Sequence, residues 1–198
     1  MPVTRRALLI LAAGLGGAGL AGCQTRPGVP RRDDPSFENL PRLRLDVARI
    51  AVEDRSRPVG RTIDDTLALP PAQAARLWAN QRLEAVGRSG TGVFTIVEAQ
   101  VRETELPRTT TGIRGAFTKE QTHRYDAVLD VTLEIKDAAG LRVAAAAARV
   151  TRSNTLREDM SLAQRDRLIA DLVAGLVGDM NSQIEPAMRQ YLGTHLRS

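Results

Sequence analysis

The sequence predicts an α+β fold, a two-layer sandwich in which two helices cover one face of a four-stranded, mainly antiparallel sheet in the order βαβββα. Three observations carry this prediction. Between Tyr125 and Lys136 the apolar residues Tyr125, Ala127, Leu129, Val131, Leu133 and Ile135 fall on one side of a period-two pattern. Asp126, Asp130, Thr132, Glu134 and Lys136 fall on the other, so the sheet is expected to have one wet face. Near the C-terminus, Leu168, Ile169, Leu172, Val173, Leu176, Val177, Met180, Ile184 and Met188 form a stripe at helical spacing, long enough to cover such a sheet.

The elements follow in order. Leu43, Leu45 and Val47 alternate with Arg44 and Asp46, and Ile50 and Val52 continue one step out of phase, which predicts a strand bulged near Ala48 and Arg49. Pro70-Pro71 opens a helix, since proline is tolerated in a first turn; its apolar face is Ala75, Trp78, Ala79, Leu83 and Val86, with Gly87 as the expected stop. The second strand spans Gly92 to Glu105, with Val93, Thr95, Val97, Ala99 and Val101 on one face and Phe94 and Ile96 beginning the other. After the third strand, Asp137-Ala138-Ala139-Gly140 turns into a fourth that starts at Leu141. The run Ala144 to Ala148 has helical propensity, but its place after a hairpin turn and before Arg149-Val150-Thr151-Arg152 favours strand. Ser161 with Gln164 is a capping-box pattern at the start of the last helix, and Pro186 predicts a kink or break near its end.

Ahead of this domain the composition changes. Arg5 and Arg6 precede an apolar run from Ala7 to Leu20 and then small residues before Cys23, the layout of a secretion signal over residues 1–22. The run is about 14 residues, diluted by Gly14, Gly16, Gly17 and Gly19, whereas a membrane-crossing helix needs roughly 20. Leu20-Ala21-Gly22-Cys23 resembles the lipobox of bacterial lipoproteins. That resemblance implies a diacylglycerol on the Cys23 thiol, cleavage before it, and a mature protein held on the membrane through the lipid. Cys23 is the one cysteine of the chain, so no internal disulfide can form, and acylation would cap a thiol otherwise left free in an oxidising compartment. Gln24, rather than aspartate, follows it, which leans towards the outer over the inner membrane; Thr4-Arg5-Arg6 leaves twin-arginine export open. From Cys23 to Pro41 the chain is proline-rich and charged and reads as a flexible tether, leaving 42–198 as one α+β domain.

Without residues 1–22 the chain has 176 residues, 26 basic and 23 acidic, a formal charge of +3. Positive and negative side chains are interleaved, and the aromatics are only Phe37, Trp78, Phe94, Phe117, Tyr125 and Tyr191, so neither a phosphate-tracking stripe nor a base-stacking platform is present and nucleic acid is not an expected partner. His123 and His195 are the only histidines, and neither has a second ligand at metal spacing. No serine sits in a nucleophile elbow, and no cofactor motif is found: Arg88-Ser89-Gly90-Thr91-Gly92 follows a helix and precedes a strand, the reverse of a phosphate-binding loop. Asp126, Asp130 and Glu134 share a strand face and would be the carboxylates of an enzymatic alternative, an envelope hydrolase, if His123 joined them in a cleft. The connection from Leu106 to Arg124 is long for a compact domain, and Ile113 and Phe117 within it are candidate contacts for a partner.

The lipid anchor, the tether, and a helix containing Arg76-Leu77-Trp78 after a proline-rich start resemble two groups of periplasmic lipoproteins: auxiliary lipoproteins of ABC-type systems that transport lipids, and the lipopolysaccharide-assembly lipoprotein. The resemblance implies a non-catalytic envelope protein, facing the periplasm, that docks onto a protein or lipid partner through its open sheet face or its long loop. A structural spacer is the remaining expectation.

Overall fold

The computed structural model describes residues 36–107 and 121–197. Seven strands and two helices follow one another as β1 (Leu43–Leu45), β2 (Arg49–Asp54), α1 (Pro71–Arg82), β3 (Leu83–Ala85), β4 (Thr91–Glu105), β5 (Gln121–Lys136), β6 (Arg142–Arg157), α2 (Leu162–Tyr191) and β7 (Leu196–Arg197). The main sheet has the order β2-β4-β5-β6, parallel between β2 and β4 and antiparallel across the other two pairs. This is the predicted α+β sandwich with mixed strand directions. Among the described residues no helix is long and apolar enough to cross a membrane.

The core lies between the sheet and both helices. Tyr125, Ala127, Leu129, Val131, Leu133 and Ile135 are all buried, as their alternation requires, against Trp78 and Ala75 of α1 and the Ile169 to Met188 stripe of α2. The Trp78 ring meets Phe94 with centroids 5.4 Å apart, and its indole nitrogen donates to Asn181 Oδ1 at 2.8 Å, so one side chain ties α1 to both the sheet and α2. Arg82 joins it from the last turn of α1, fully buried, donating to Asn181 and, at 2.6 Å, to Glu185. The alanines of β6 form strand, and Ala146 and Ala148 present small side chains to the overlying α2.

Several local expectations are corrected. The first strand does not bulge and continue; it breaks, and its halves enter different sheets. A tight turn, with Val47 N–H bonded to Leu45 O at 2.8 Å, sends β1 into a small second sheet of order β3-β1-β7 and β2 into the main one. Helix α1 stops at Arg82, and Leu83, expected on its apolar face, begins β3. Gly87 is therefore not a helix stop. It lies against β1, where an added Cβ would sit 2.5 Å from the Asp46 carbonyl carbon, and its N–H bonds Val47 O. In β4 the pairing shifts at Val97, so Phe94 and Ile96 share the core side with Ala99 and Val101, while Val93 and Thr95 face the other way. Helix α2 begins with the predicted capping box but continues unbroken through Pro186. Strand β5 begins at Gln121, so residues 121–124, expected in the long connection, belong to the strand. Phe37, in the segment read as tether, is buried in the core, its N–H bonded to Gln81. Residues 1–35, which hold the expected signal and Cys23, and 108–120, which hold Ile113 and Phe117, lie outside the described residues.

Candidate functional site

The face of the main sheet turned away from the helices carries a shallow groove of about 350 Å³. Cross-strand pairing explains its composition, because residues directly opposite one another share a face. One row is Arg102, Asp126 and Ser153, the next Gln100, Val128 and Thr151, the third Glu98, Asp130 and Arg149. Each row takes one side chain from β4, one from β5 and one from β6.

Gln100 forms the floor. It is buried although polar, and it is satisfied: its carbonyl oxygen accepts from Val59 N–H at 2.8 Å and its amide donates to Glu98 at 3.1 Å. The loop after β2 is thereby laid along β4, where Thr62 forms a bridge with Arg102. Arg149 spans the third row, at 2.8 Å from Asp130 and 2.7 Å from Glu98, and these hydrogen bonds raise its pKa and hold it as a cation. Glu134 is paired with Arg142, and Asp126 with Arg124. The three carboxylates of β5 are thus anchored to separate arginines, in an ordinary solvated face.

His123 does not join them. It shares the core-side alternation of Tyr125, opposite to that of Asp126, and its ring nitrogen Nδ1 lies 3.0 Å from the Thr122 hydroxyl. The cleft of carboxylates and histidine needed by the hydrolase alternative is not formed. His195 lies in a terminal 3₁₀ turn, where its backbone carbonyl accepts from Asp46 N–H. The glycine-containing segment before β4 is a turn between β3 and β4, with Gly90 at φ 78° beneath the Lys136 carbonyl. Among the described residues no group of three or more histidine, cysteine or acidic side chains is placed to hold a metal ion.

A second polar cluster lies on the core side, at the far end of β4 and β5. The Tyr125 hydroxyl donates to Glu103 at 2.6 Å and accepts from Arg165 of α2 at 2.7 Å, while the Arg165 guanidinium lies over the tyrosine ring. Partial burial works to raise the Glu103 pKa, but the bond from Tyr125 and the charges of Arg165 and His123 outweigh it and hold the carboxyl below its usual value. Burial and the Glu103 carboxylate together raise the pKa of Tyr125.

The sequence reading found the polar side of β5, with Asp126 of the groove, and missed Glu98, Gln100, Arg102, Arg124, Val128, Arg149, Thr151 and Ser153. The polar alternation of β5 was the available signal. Which residues of β4 and β6 stand beside them depends on register and on the Val97 bulge, which one strand's pattern does not disclose.

No protein-family model matches the chain, and a comparison with curated proteins finds no match. Likenesses are found among solved structures, and three of them follow. A minor lipoprotein from Acinetobacter baumannii is similar at a TM-score of 0.38 and 16% identity, covering 78% of this chain and 98% of that one. A homologue of the neuraminyllactose-binding hemagglutinin from Helicobacter pylori gives 0.38 and 6%, covering 77% and 95%. The rare lipoprotein B from Shewanella oneidensis gives 0.32 and 12%, covering 71% and 89%.

Proposed function

We propose that this chain is a non-catalytic lipoprotein of the bacterial envelope, anchored through a lipid on Cys23 and facing the periplasm, that binds a partner across the open face of its main sheet. The anchor rests on the basic pair, apolar run and Leu20-Ala21-Gly22-Cys23 at the start of the sequence. Three acyl chains there, at about 0.8 kcal/mol per buried methylene, would hold it permanently on the membrane.

The observation that carries the binding role is the groove. Its walls come from three strands, its floor is fixed by the buried Gln100, and its carboxylates are tied to arginines instead of converging on a reacting position. Arg102 and Arg124 at one end give it a basic rim suited to acidic groups of a protein or lipid partner. An accessory role in a lipid or ABC-type transport system belongs to this reading, as does placement in the outer membrane.

Two measurements test it. Intact-mass analysis of the N-terminal peptide from membranes should return an acylated Cys23 at the new N-terminus, and an unmodified or uncleaved Cys23 would remove the anchor. A photo-crosslinking amino acid at Thr151, in the groove, should form an adduct with one defined protein or lipid, and the same group at Gln183, exposed on α2, should not. Absence of any adduct at Thr151 would remove the open face from consideration.

A further inference from the structure

One wall of the groove is not neutralised by the protein's own carboxylates. After β2 the chain runs along the outer edge of β4. Arg55 N–H bonds Ile96 O at 2.9 Å, Val59 N–H bonds the Gln100 side chain, Thr62 bridges Arg102, and Ile63 N–H bonds Val101 O at 3.0 Å. That strip carries Arg57 and Arg61, and beside it on β4 stands Arg102. All three are exposed, and among the described residues none has a carboxylate partner. The other arginines of the groove are satisfied: Arg124 by Asp126, Arg149 by Glu98 and Asp130, Arg152 by Asp179. Just beyond the strip stand two carboxylates, Asp65 and Asp64, and the second is turned to Val101 N–H. Positive charge is in excess along this wall.

Such an excess draws anions and fixes how they approach. The lining decides which kind. Pockets that enclose small molecules are mostly apolar and bury them, whereas this groove is shallow and largely polar. A lipid chain would need a continuous apolar channel, and the groove offers Val128 and Ala127 between Gln100, Thr151 and Ser153. Along the basic wall, charge and apolar surface alternate instead: Val59, 62% exposed, lies between Arg57 and Arg61, and Val97, 45% exposed, sits at the β4 bulge. An extended peptide matches that alternation, because its side chains recur about every 3.3 Å on opposite sides. Carboxylates can meet the guanidiniums while their aliphatic stems meet the valines.

We infer, taking the open face as the binding face proposed above, that Arg57, Arg61 and Arg102 seat an acidic segment of a partner protein along the β4 side of the groove. Arg57 and Arg61 are four positions apart, hence separated by at most about 14 Å, so five or six residues of the partner are enough to span them.

The full chain in detergent micelles, titrated into a fluorescently labelled hexaglutamate peptide, should raise its anisotropy at low ionic strength and lose that response as salt is added. Arg57→Gln, Arg61→Gln and Arg102→Gln together should weaken binding about tenfold, as the loss of three exposed ion pairs would. Arg42→Gln, Arg88→Gln and Arg167→Gln remove the same charge from exposed positions ahead of β1, in the β3–β4 turn and on α2, and should leave binding unchanged. A peptide that does not bind, or equal weakening by both sets, would overturn the inference, the latter by showing general attraction to a basic protein. A photo-crosslinking amino acid at Thr151 separates this from the wider reading. The adduct should be a protein and should fade when Arg57, Arg61 and Arg102 are replaced. A lipid adduct, or a protein adduct that persists undiminished, would keep the open face and overturn the acidic segment; no adduct at all would remove both.

Discussion

Tyr125 is closed off from solvent, yet its hydroxyl holds a carboxylate from the neighbouring strand and a guanidinium from the helix above. Removing that hydroxyl leaves Glu103 and Arg165 to meet only through their 3.3 Å contact. Tyr125→Phe is expected to cost about 2 kcal/mol at neutral pH, in the range of hydrogen bonds to charged groups, measured by urea denaturation. Its pH dependence has a definite sign. Glu103 has a folded pKa below its unfolded one, so its contribution is present above the ordinary carboxylate range and lost as pH falls through the lowered value. The Phe variant should lose less stability on acidification than the wild type.

Asp64 behaves in the opposite sense. One carboxylate oxygen accepts from Val101 N–H at 2.9 Å, while the other is buried with no partner. Burial raises its pKa, the Val101 and Thr62 bonds oppose this, and the neighbouring Asp65 raises it further. A carboxyl whose folded pKa is raised favours the fold below its unfolded pKa and ceases to do so as pH rises through the folded one. Asp64→Asn keeps the acceptor for Val101 and removes the charge, so its thermal midpoint should exceed that of the wild type at pH 7, with the difference vanishing in acid. Neither residue's role was legible in the sequence. Tyr125 read as one more apolar position, and Asp64 drew no reading at all, because a side chain's partners depend on what the fold brings beside it.

At the scale of elements, the periodic signals of β5 and α2 translated faithfully, whereas those of the first strand, α1 and β4 were broken or shifted and the boundaries moved. Strand β5 and helix α2 are long and strictly patterned, and each repeats its period often enough for packing to be read directly from spacing. The capping box at Ser161 is a local device, complete within four residues, and it formed. By contrast, the apolar Leu83 fits a helical face as well as it fits a strand; what decides is β1, which lies alongside it in parallel. Gly87 records the same event. Its missing side chain admits the β1 turn, so Gly87→Ala should be destabilising by about 1–3 kcal/mol, as overpacked positions are, and denaturant titration will show whether the Asp46 turn yields. The open face of the sheet was anticipated from alternation in β5 alone, whereas the groove upon it needed three strands in register.

For the whole molecule, order in sequence and order in space part company at the small sheet. β1 near the start of the domain lies between β3 and β7, and Arg197 pairs with Asp46, 151 positions earlier. Nothing in the sequence announces this: β1 and β7 are three and two residues long, too short for any period to show. Deleting residues 196–198 should free one side of β1. Hydrogen exchange should then quicken at Leu43–Leu45 while the amides in the middle of β5 remain protected, and equal acceleration in both would mean that the small sheet is not a separate unit of stability.

That pairing also imposes a timetable. A chain that emerges from a ribosome or a translocation pore N-terminus first presents β1 early and β7, which completes its sheet, after the other described strands. The β5–β6 hairpin, whose strands are neighbours in sequence, is free to form quickly, but β1 must wait with one side vacant until residue 197 has emerged, since contacts between remote positions carry the largest loop-closure cost. The small sheet thus works as a clasp that cannot close until residue 197 has emerged.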